Sequence, residues 1–399
     1  MICIAGKNEI AVFGVKLLIS KGINNNDVVV LTNKNDKGVA HDWQPSFKKY
    51  CNDNGIKEVE LEDLYEINDL IFISLEYDRI IKTDLFRTKQ LFNIHFSLLP
   101  AYKGMFTSVH PILRGEKKSG VTLHEIDNGI DTGFIIDQIE FDIPFGTTGL
   151  ELYNSYIKYS EELLKKNIDS IINNKCESKP QSLENASYFS NKTIDFKSIK
   201  INFYKTCFEV CNYVNAFSFR PYQLLSYQNV KISKAIPRHI KSVNKPGTLI
   251  LENDFLFEIS TIDYNVNLLK DNLENILDKA SKNDLELIKT YFDLGFNLNE
   301  KNDKGWNALI VACFNGSFEV VKFLLENNIS NVNDSNNKET SVLMYAMTNA
   351  SKTGNLSILE YLLHKGADYK HFDLNGFDIF HYATEYKNQS VINFLSNYK

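Results

Sequence analysis

Cysteine is scarce and unpatterned: Cys3, Cys51, Cys176, Cys207, Cys211 and Cys313 are spread over 399 residues without framework spacing, which excludes a small disulfide-stapled fold. Cys207 and Cys211 stand one helical turn apart, yet no second ligand pair or nearby histidine joins them, so buried helix thiols are expected and a metal is not. A basic excess is missing too. With 44 Lys+Arg against 50 Asp+Glu, the formal charge is −6, which argues against clamping a phosphate backbone and leads us to expect no nucleic-acid partner. No uninterrupted apolar stretch is long enough to span a bilayer. The opening "MICIAGKNEIAVFG" has neither a basic n-region nor a small-residue cleavage site, so a cytoplasmic protein without membrane contact is expected. Its first turn, "AGKNEIA", is not a G-x-G-x-x-G loop, which leaves a nicotinamide cofactor without its usual cradle.

What is present has a globular balance, 43% hydrophobic and 24% charged, in a chain too long for one core. Over residues 1–183 the apolar runs "MICIA", "DVVVLT", "KEVEL", "DLIFIS" and "LFNIH" read as strands. "EIAVFGVKLLIS" and "DWQPSFKKYCND" read as the helices between them. That alternation predicts an α/β fold with a mainly parallel sheet and ligands at the carboxyl ends of its strands. "FIIDQIEFDI" adds a strand, and "GLELYNSYIKYSEELLKKNIDSIINN" a long amphipathic helix. Residues 184–268 change character, with one helix ("FYKTCFEVCNYVNAFS") followed by strand-like text, and predict a small β-rich subdomain.

Asn93 and His95 fall one residue apart at a strand end, so alternation points both side chains the same way. Asp131 follows in the turn-rich "DNGIDTG", which can fold back over that end. An amide, an imidazole and a carboxylate suit acyl transfer: the amide donates to an oxyanion, the imidazole moves a proton, and the carboxylate orients the imidazole.

The blocks "NIHFSLLPAYKG", "HPILRGEKKSGVTLHEID" and "GIDTG", in that order, resemble the folate-dependent formyltransferases over roughly residues 1–183. The resemblance implies a Rossmann-like catalytic domain at 1–183, with N10-formyltetrahydrofolate as cosubstrate and no metal. It also implies folate contacts at Tyr77, Asp78, Arg79, Asp127, Asn128, Gly129, Ile130 and Asp131. Met105 departs from the arginine that often follows the "YKG" glycine. "AGKNEIAV" and "AFSFRPYQ" are most similar to the sugar-nucleotide N-formyltransferases acting on dTDP-linked amino sugars. On that resemblance Lys7, Asn8, Glu76, Arg220 and Tyr222 are substrate contacts, Arg220 toward a diphosphate and Tyr222 toward the base or a phosphate, and a homodimer is expected. His124 is read as a structural strand residue.

Residues 269–399 repeat. "ILDKASKNDLELIKTYFDLGFNLN", "WNALIVACFNGSFEVVKFLLENNIS", "SVLMYAMTNASKTGNLSILEYLLHKGAD" and "FDIFHYATEYKNQSVINFLSNYK" bring Ala280, Ala312, Ala346 and Ala383 into register near the roughly 33-residue ankyrin period. They resemble an all-α ankyrin stack of four units, the outer two as caps. Sugar-nucleotide formyltransferases with such an extension are the nearest resemblance of all. They imply dTDP-3-amino-3,6-dideoxyglucose as acceptor, made for bacterial surface polysaccharide. A 4-amino sugar on dTDP or UDP, or a scaffold with a remnant enzyme domain, are the alternatives. Trp306, one of 2 tryptophans, follows a repeat's turn glycine. It is expected either to pack against its surroundings or to stack on a planar ring in an accessory nucleotide-sugar site, ankyrin stacks more often binding proteins.

Overall fold

A computed structural model describes residues 1–39, 43–220 and 222–398. The chain divides into two compact units, Met1–Lys270 and Asp271–Lys399.

The first unit opens with β1 (Ile2–Gly6), α1 (Asn8–Ser20), β2 (Val28–Thr32), α2 (Phe47–Asp53), β3 (Lys57–Glu58), β4 (Ile71–Leu75) and β5 (Leu91–His95). All five strands run parallel, in the order β3-β2-β1-β4-β5. The "KEVEL" run contributes only the two-residue β3; in "DWQPSFKKYCND", whose Asp42 lies outside the described residues, the helix starts after Ser46, whose hydroxyl accepts the Lys49 N–H as N-cap. There follow β6 (Lys103–Gly104), α3 (His110–Leu113), β7 (Lys118–Glu125) and β8 (Ile135–Asp142). β7 and β8 extend the sheet antiparallel beyond β5, so the sheet is mixed at one side.

α4 (Gly149–Ile172) is fixed by a capping box, Thr148 accepting the Glu151 N–H while Glu151 accepts that of Thr148. Its apolar stripe packs with α1 on one face of the sheet, where Phe92 and Ile94 also point. The opposite face carries a second cluster: Phe72, Leu91, Ile81 and Phe86, with Tyr77 and Ile126 against it. This is the face to which Asn93 and His95 belong, by alternation with Phe92 and Ile94.

After β9 (Tyr188–Phe189), which pairs with β6, comes α5 (Cys207–Ala216), with Cys207 and Cys211 buried. Five antiparallel strands follow: β10 (Leu225–Tyr227), β11 (Val230–Lys241), β12 (Leu249–Glu252), β13 (Leu256–Ser260) and β14 (Tyr264–Lys270), in the order β10-β11-β14-β13-β12. α5 packs on this sheet through Val210, Val214, Phe257 and Leu268.

The second unit is four helix pairs: α6 (Leu273–Ser281) with α7 (Leu285–Asp293), α8 (Ala308–Asn315) with α9 (Phe318–Glu326), α10 (Val342–Thr353) with α11 (Ser357–His364), and α12 (Ile379–Tyr386) with α13 (Gln389–Leu395). Ala280, Ala312, Ala346 and Ala383 are all buried on the first helix of each pair, where a small side chain lets neighbouring helices approach. No described helix is long and apolar enough to cross a membrane.

Candidate active site

β5 and β7 pair antiparallel with Asn93 opposite His124 and His95 opposite Thr122. Directly opposite residues share a face, so Asn93, His95 and His124 emerge together. The 126–134 loop then returns across them. Asp131 adopts a left-handed backbone (φ 54°), a conformation that costs about 1–3 kcal/mol outside glycine, and its carboxylate reaches both rings. Oδ2 lies 3.5 Å from His95 Nδ1 and Oδ1 lies 3.7 Å from His124 Nε2, while Gly104 N–H donates to Oδ2 at 2.8 Å.

The hydrogen bonds fix the ring states. His95 Nε2 donates to the Tyr102 carbonyl at 2.8 Å, which leaves Nδ1 as its basic nitrogen, turned to Asp131. His124 is arranged oppositely. Its Nδ1 donates to the Glu125 carbonyl at 2.7 Å, and its Nε2 accepts the Asn93 amide at 3.0 Å. Burial lowers the His124 pKa to about 4, helped by His95 and opposed by Asp131. The ring is therefore neutral at pH 7, and its approach to Asp131 is not an ion pair. Asn93 keeps a second amide N–H for another acceptor. Sequence reasoning missed His124 as a partner of the site; an antiparallel β5–β7 pairing with that register was the signal needed.

Beside this cluster, at the carboxyl ends of β1 and β4, Tyr153 from α4 donates to Glu76 Oε2 at 2.9 Å and accepts Asn8 Nδ2 at 3.2 Å. Burial raises the Glu76 pKa, opposed by the charge of Lys7 and by these hydrogen bonds. Asn8 and Glu76 both have left-handed backbones (φ 58° and 61°). Trp43, Tyr153, Phe219 and Tyr222 form an aromatic wall, with Trp43 5.2 Å from Tyr222, 5.7 Å from Phe219 and 5.8 Å from Tyr153. Tyr222 is 68% exposed at its rim. Lys7, Asn8, Glu76 and Tyr222 thus gather at one aromatic cluster, whose Trp43 and Tyr153 carried no sequence signal because they lie far apart in the chain. Arg220 is half-buried next to Phe219; Pro221 lies outside the described residues.

The Tyr77–Arg79 turn is anchored by Asp78 N–H to Asn33 Oδ1 at 3.2 Å and by Arg79 to Glu62 at 3.2 Å. In the 127–131 loop the polar side chains are engaged locally. Asp127 accepts from Gly129 N–H and Thr132 hydroxyl, and Asn128 bridges Thr83 and Asp84. Backbone groups and the exposed Ile130 are what this loop offers a flat ligand. In the second unit Trp306 donates Nε1–H to Tyr345 Oη at 3.1 Å and packs against Phe314, with Lys304 over its ring.

A mixed sheet with an amide, two imidazoles and a carboxylate converging at its strand ends, near an aromatic cluster, suits acyl transfer. The chain belongs to the formyl transferase family, whose profile matches residues 6–168; residues 277–373 match three ankyrin repeats. It is similar to WlaRD, a sugar 3N-formyltransferase, at 48% identity over 68% of this chain and 97% of that one, with a TM-score of 0.64. The N-formyltransferase from Helicobacter canadensis, solved with folinic acid and dTDP-3-aminofucose, is 46% identical over 67% of this chain and 98% of its own, with a TM-score of 0.63. Methionyl-tRNA formyltransferase of Ureaplasma parvum is 31% identical over 57% of this chain and 77% of its own.

Proposed function

We propose that this enzyme moves a formyl group from N10-formyltetrahydrofolate to the amine of a dTDP-linked amino dideoxy sugar, with dTDP-3-amino-3,6-dideoxyglucose as the acceptor. The product would serve bacterial surface-polysaccharide synthesis. The observation that carries the reading is the convergence of Asn93, His95 and Asp131 near the Glu76–Tyr153–Tyr222 cluster. Identity of 48% and 46% to enzymes whose solved forms contain dTDP or dTDP-3-aminofucose and a formylated folate supports the 3-amino acceptor over a 4-amino one. It outweighs the weaker likeness to tRNA formyltransferases, as does a net charge of −6.

In this mechanism the neutral sugar amine attacks the formyl carbon. The second Asn93 N–H meets the developing oxyanion, a contribution worth about a hundred- to thousand-fold in rate. The proton leaving the amine passes to His95 Nδ1, where Asp131 stabilises it, and is then handed to folate N10 as the C–N10 bond breaks, releasing tetrahydrofolate and a neutral His95. Backbone groups of 77–79 and 127–131 hold the folate. Lys7 and Arg220 face the diphosphate, Tyr222 the base, and Glu76 the sugar. Residues 1–183 form the catalytic domain, 184–268 the subdomain and 269–399 the repeats. The Trp306–Tyr345–Phe314 group is an accessory site for a second sugar nucleotide, and the enzyme acts as a dimer.

Tetrahydrofolate release with a panel of dTDP- and UDP-linked 3-amino and 4-amino sugars, and with charged initiator tRNA, tests the assignment. Fastest turnover is expected with the dTDP 3-amino sugar. Preference for a 4-amino sugar, for UDP or for tRNA would overturn it, and absence of any folate turnover would favour a scaffold.

A further inference from the structure

The two groups facing the His95 ring, the Asp131 carboxylate and the Tyr102 carbonyl, sit on separate loops, and both residues have left-handed backbones (φ 54° and 58°). Each loop has ties of its own, Asp127 accepting from Gly129 N–H and the Thr132 hydroxyl, and the Ser97 hydroxyl donating to the Ala101 carbonyl. One segment touches both. Lys179 exchanges two backbone hydrogen bonds with Ile135, at 2.8 and 2.9 Å, so the chain after α4 lies along the far end of the Asp131 loop. Two residues later Gln181 donates both amide hydrogens to that loop, to the Asp131 carbonyl at 2.9 Å and the Gly133 carbonyl at 2.8 Å. Its own Oε1 is buried without a hydrogen-bond partner, an arrangement unfavourable to the glutamine itself and explicable by what the donors hold.

The chain then crosses to the Tyr102 loop. Ser187 Oγ accepts the Tyr102 N–H at 2.8 Å, the Ser187 carbonyl accepts Lys103 N–H at 2.9 Å, and the Phe189 carbonyl accepts Met105 N–H at 2.8 Å. Gly104, between them, has φ 89° and approaches so closely that a Cβ would stand 2.2 Å from the Phe189 oxygen. Only glycine fits there, and its N–H is the donor that reaches Asp131 Oδ2. The segment and the two loops thus enclose the imidazole, with Nε2 bonded to the Tyr102 carbonyl and Nδ1 facing the Asp131 carboxylate at 3.5 Å.

We propose that residues 179–189 are a strap that sets the reactive geometry of His95 from outside the pocket, with Gln181 the positioning residue for Asp131 and Ser187 the positioning residue for Tyr102. The proposal rests on His95 being the proton-moving group of formyl transfer. Neither Gln181 nor Ser187 touches the ring; each fixes a group that does, and a displacement of about 1 Å at a reacting group can lower a rate by about a hundredfold.

The test uses the full-length chain with N10-formyltetrahydrofolate and dTDP-3-amino-3,6-dideoxyglucose. Gln181→Ala removes the donors, and Gln181→Glu keeps the size but donates to neither carbonyl. Ser187→Ala removes the acceptor and Ser187→Thr restores a hydroxyl. Gln181→Ala, Gln181→Glu and Ser187→Ala are each expected to lower kcat by about ten- to a hundredfold with KM for both substrates unchanged, and Ser187→Thr to recover most of the loss. Independently of turnover, 15N signals of the His95 ring, recorded on ring-labelled protein, move in the Gln181 variants while those of His239 and His364 stay. Wild-type kcat in Gln181→Glu, a loss confined to KM, or unmoved His95 signals would overturn the strap. A wild-type enzyme that turns over no folate would instead sink the assigned reaction, with the ring signals still deciding the strap.

Discussion

Asn93 Nδ2 and His124 Nε2 meet at 3.0 Å across the β5–β7 pair, so the amide proposed to hold the oxyanion is itself held by a neutral histidine. The geometry works only while His124 carries its proton on Nδ1. Protonation of Nε2 would turn the acceptor into a second donor and push the amide away.

This gives a pH-dependent outcome. The His124 pKa is about 4 in the fold, against an ordinary 6.5. The folded state therefore binds fewer protons than the unfolded one across that window, and stability that is complete above 6.5 is lost as pH falls toward 4. A decrease in stability between neutral pH and about pH 5 is expected from urea unfolding. His110, also lowered to about 4, by burial and by Arg114, adds to it, so the difference from His124→Gln isolates His124. In turnover, His124→Gln retains an acceptor for Asn93, whereas His124→Leu lowers kcat about tenfold or more. Equal kcat in His124→Leu and wild type would refute the positioning role.

Asn93→Ala and His95→Ala are each expected to reduce formyl transfer by about a hundredfold or more with the fold intact, since one loses the oxyanion donor and the other the proton acceptor. Steady-state tetrahydrofolate release alongside circular dichroism measures both. Near-normal turnover in either variant removes the mechanism.

Asp131→Asn keeps the shape and removes the charge that stabilises a proton arriving at His95 Nδ1. A fall in kcat larger than any change in KM, with one limb of the pH–rate profile altered, is the expected result. If only KM for folate rises, Asp131 is a binding residue.

Trp306 is held by Tyr345 and packed on Phe314. If the group also binds a nucleotide base, titrating dTDP-3-amino-3,6-dideoxyglucose into the wild type yields two sites and into Trp306→Ala one, the lost site corresponding to stacking worth roughly 1–3 kcal/mol. One site of unchanged affinity in both proteins identifies Trp306 as packing within the repeats.

The parallel strands β1, β2, β4 and β5 were legible because each is a short apolar run bounded by turn residues, and the alanine register exposed the repeats. Asn93 and His95 were legible because they share a strand and a period of two. His124, Trp43, Tyr153 and Gln181 were not. They reach the site through antiparallel pairing, a helix face and a returning loop, and each of those depends on long-range register that a single sequence does not encode locally. Trp306 shows the converse: its position was readable, but its hydrogen bond to Tyr345 requires the stacking of one repeat on the next.

Between Gln181 and Ser187 the strap rises into a tip, Ser182–Ala186, exposed throughout, with Leu183 at 93% exposure. The two anchors thus lie on opposite sides of the segment most open to a protease. One cut there would leave every described strand continuous, yet would put the holder of Asp131 and the holder of Tyr102 on different polypeptides. The catalytic centre has a breakable tie on its outer surface, and a nicked enzyme that melts normally but turns over slowly would be its signature.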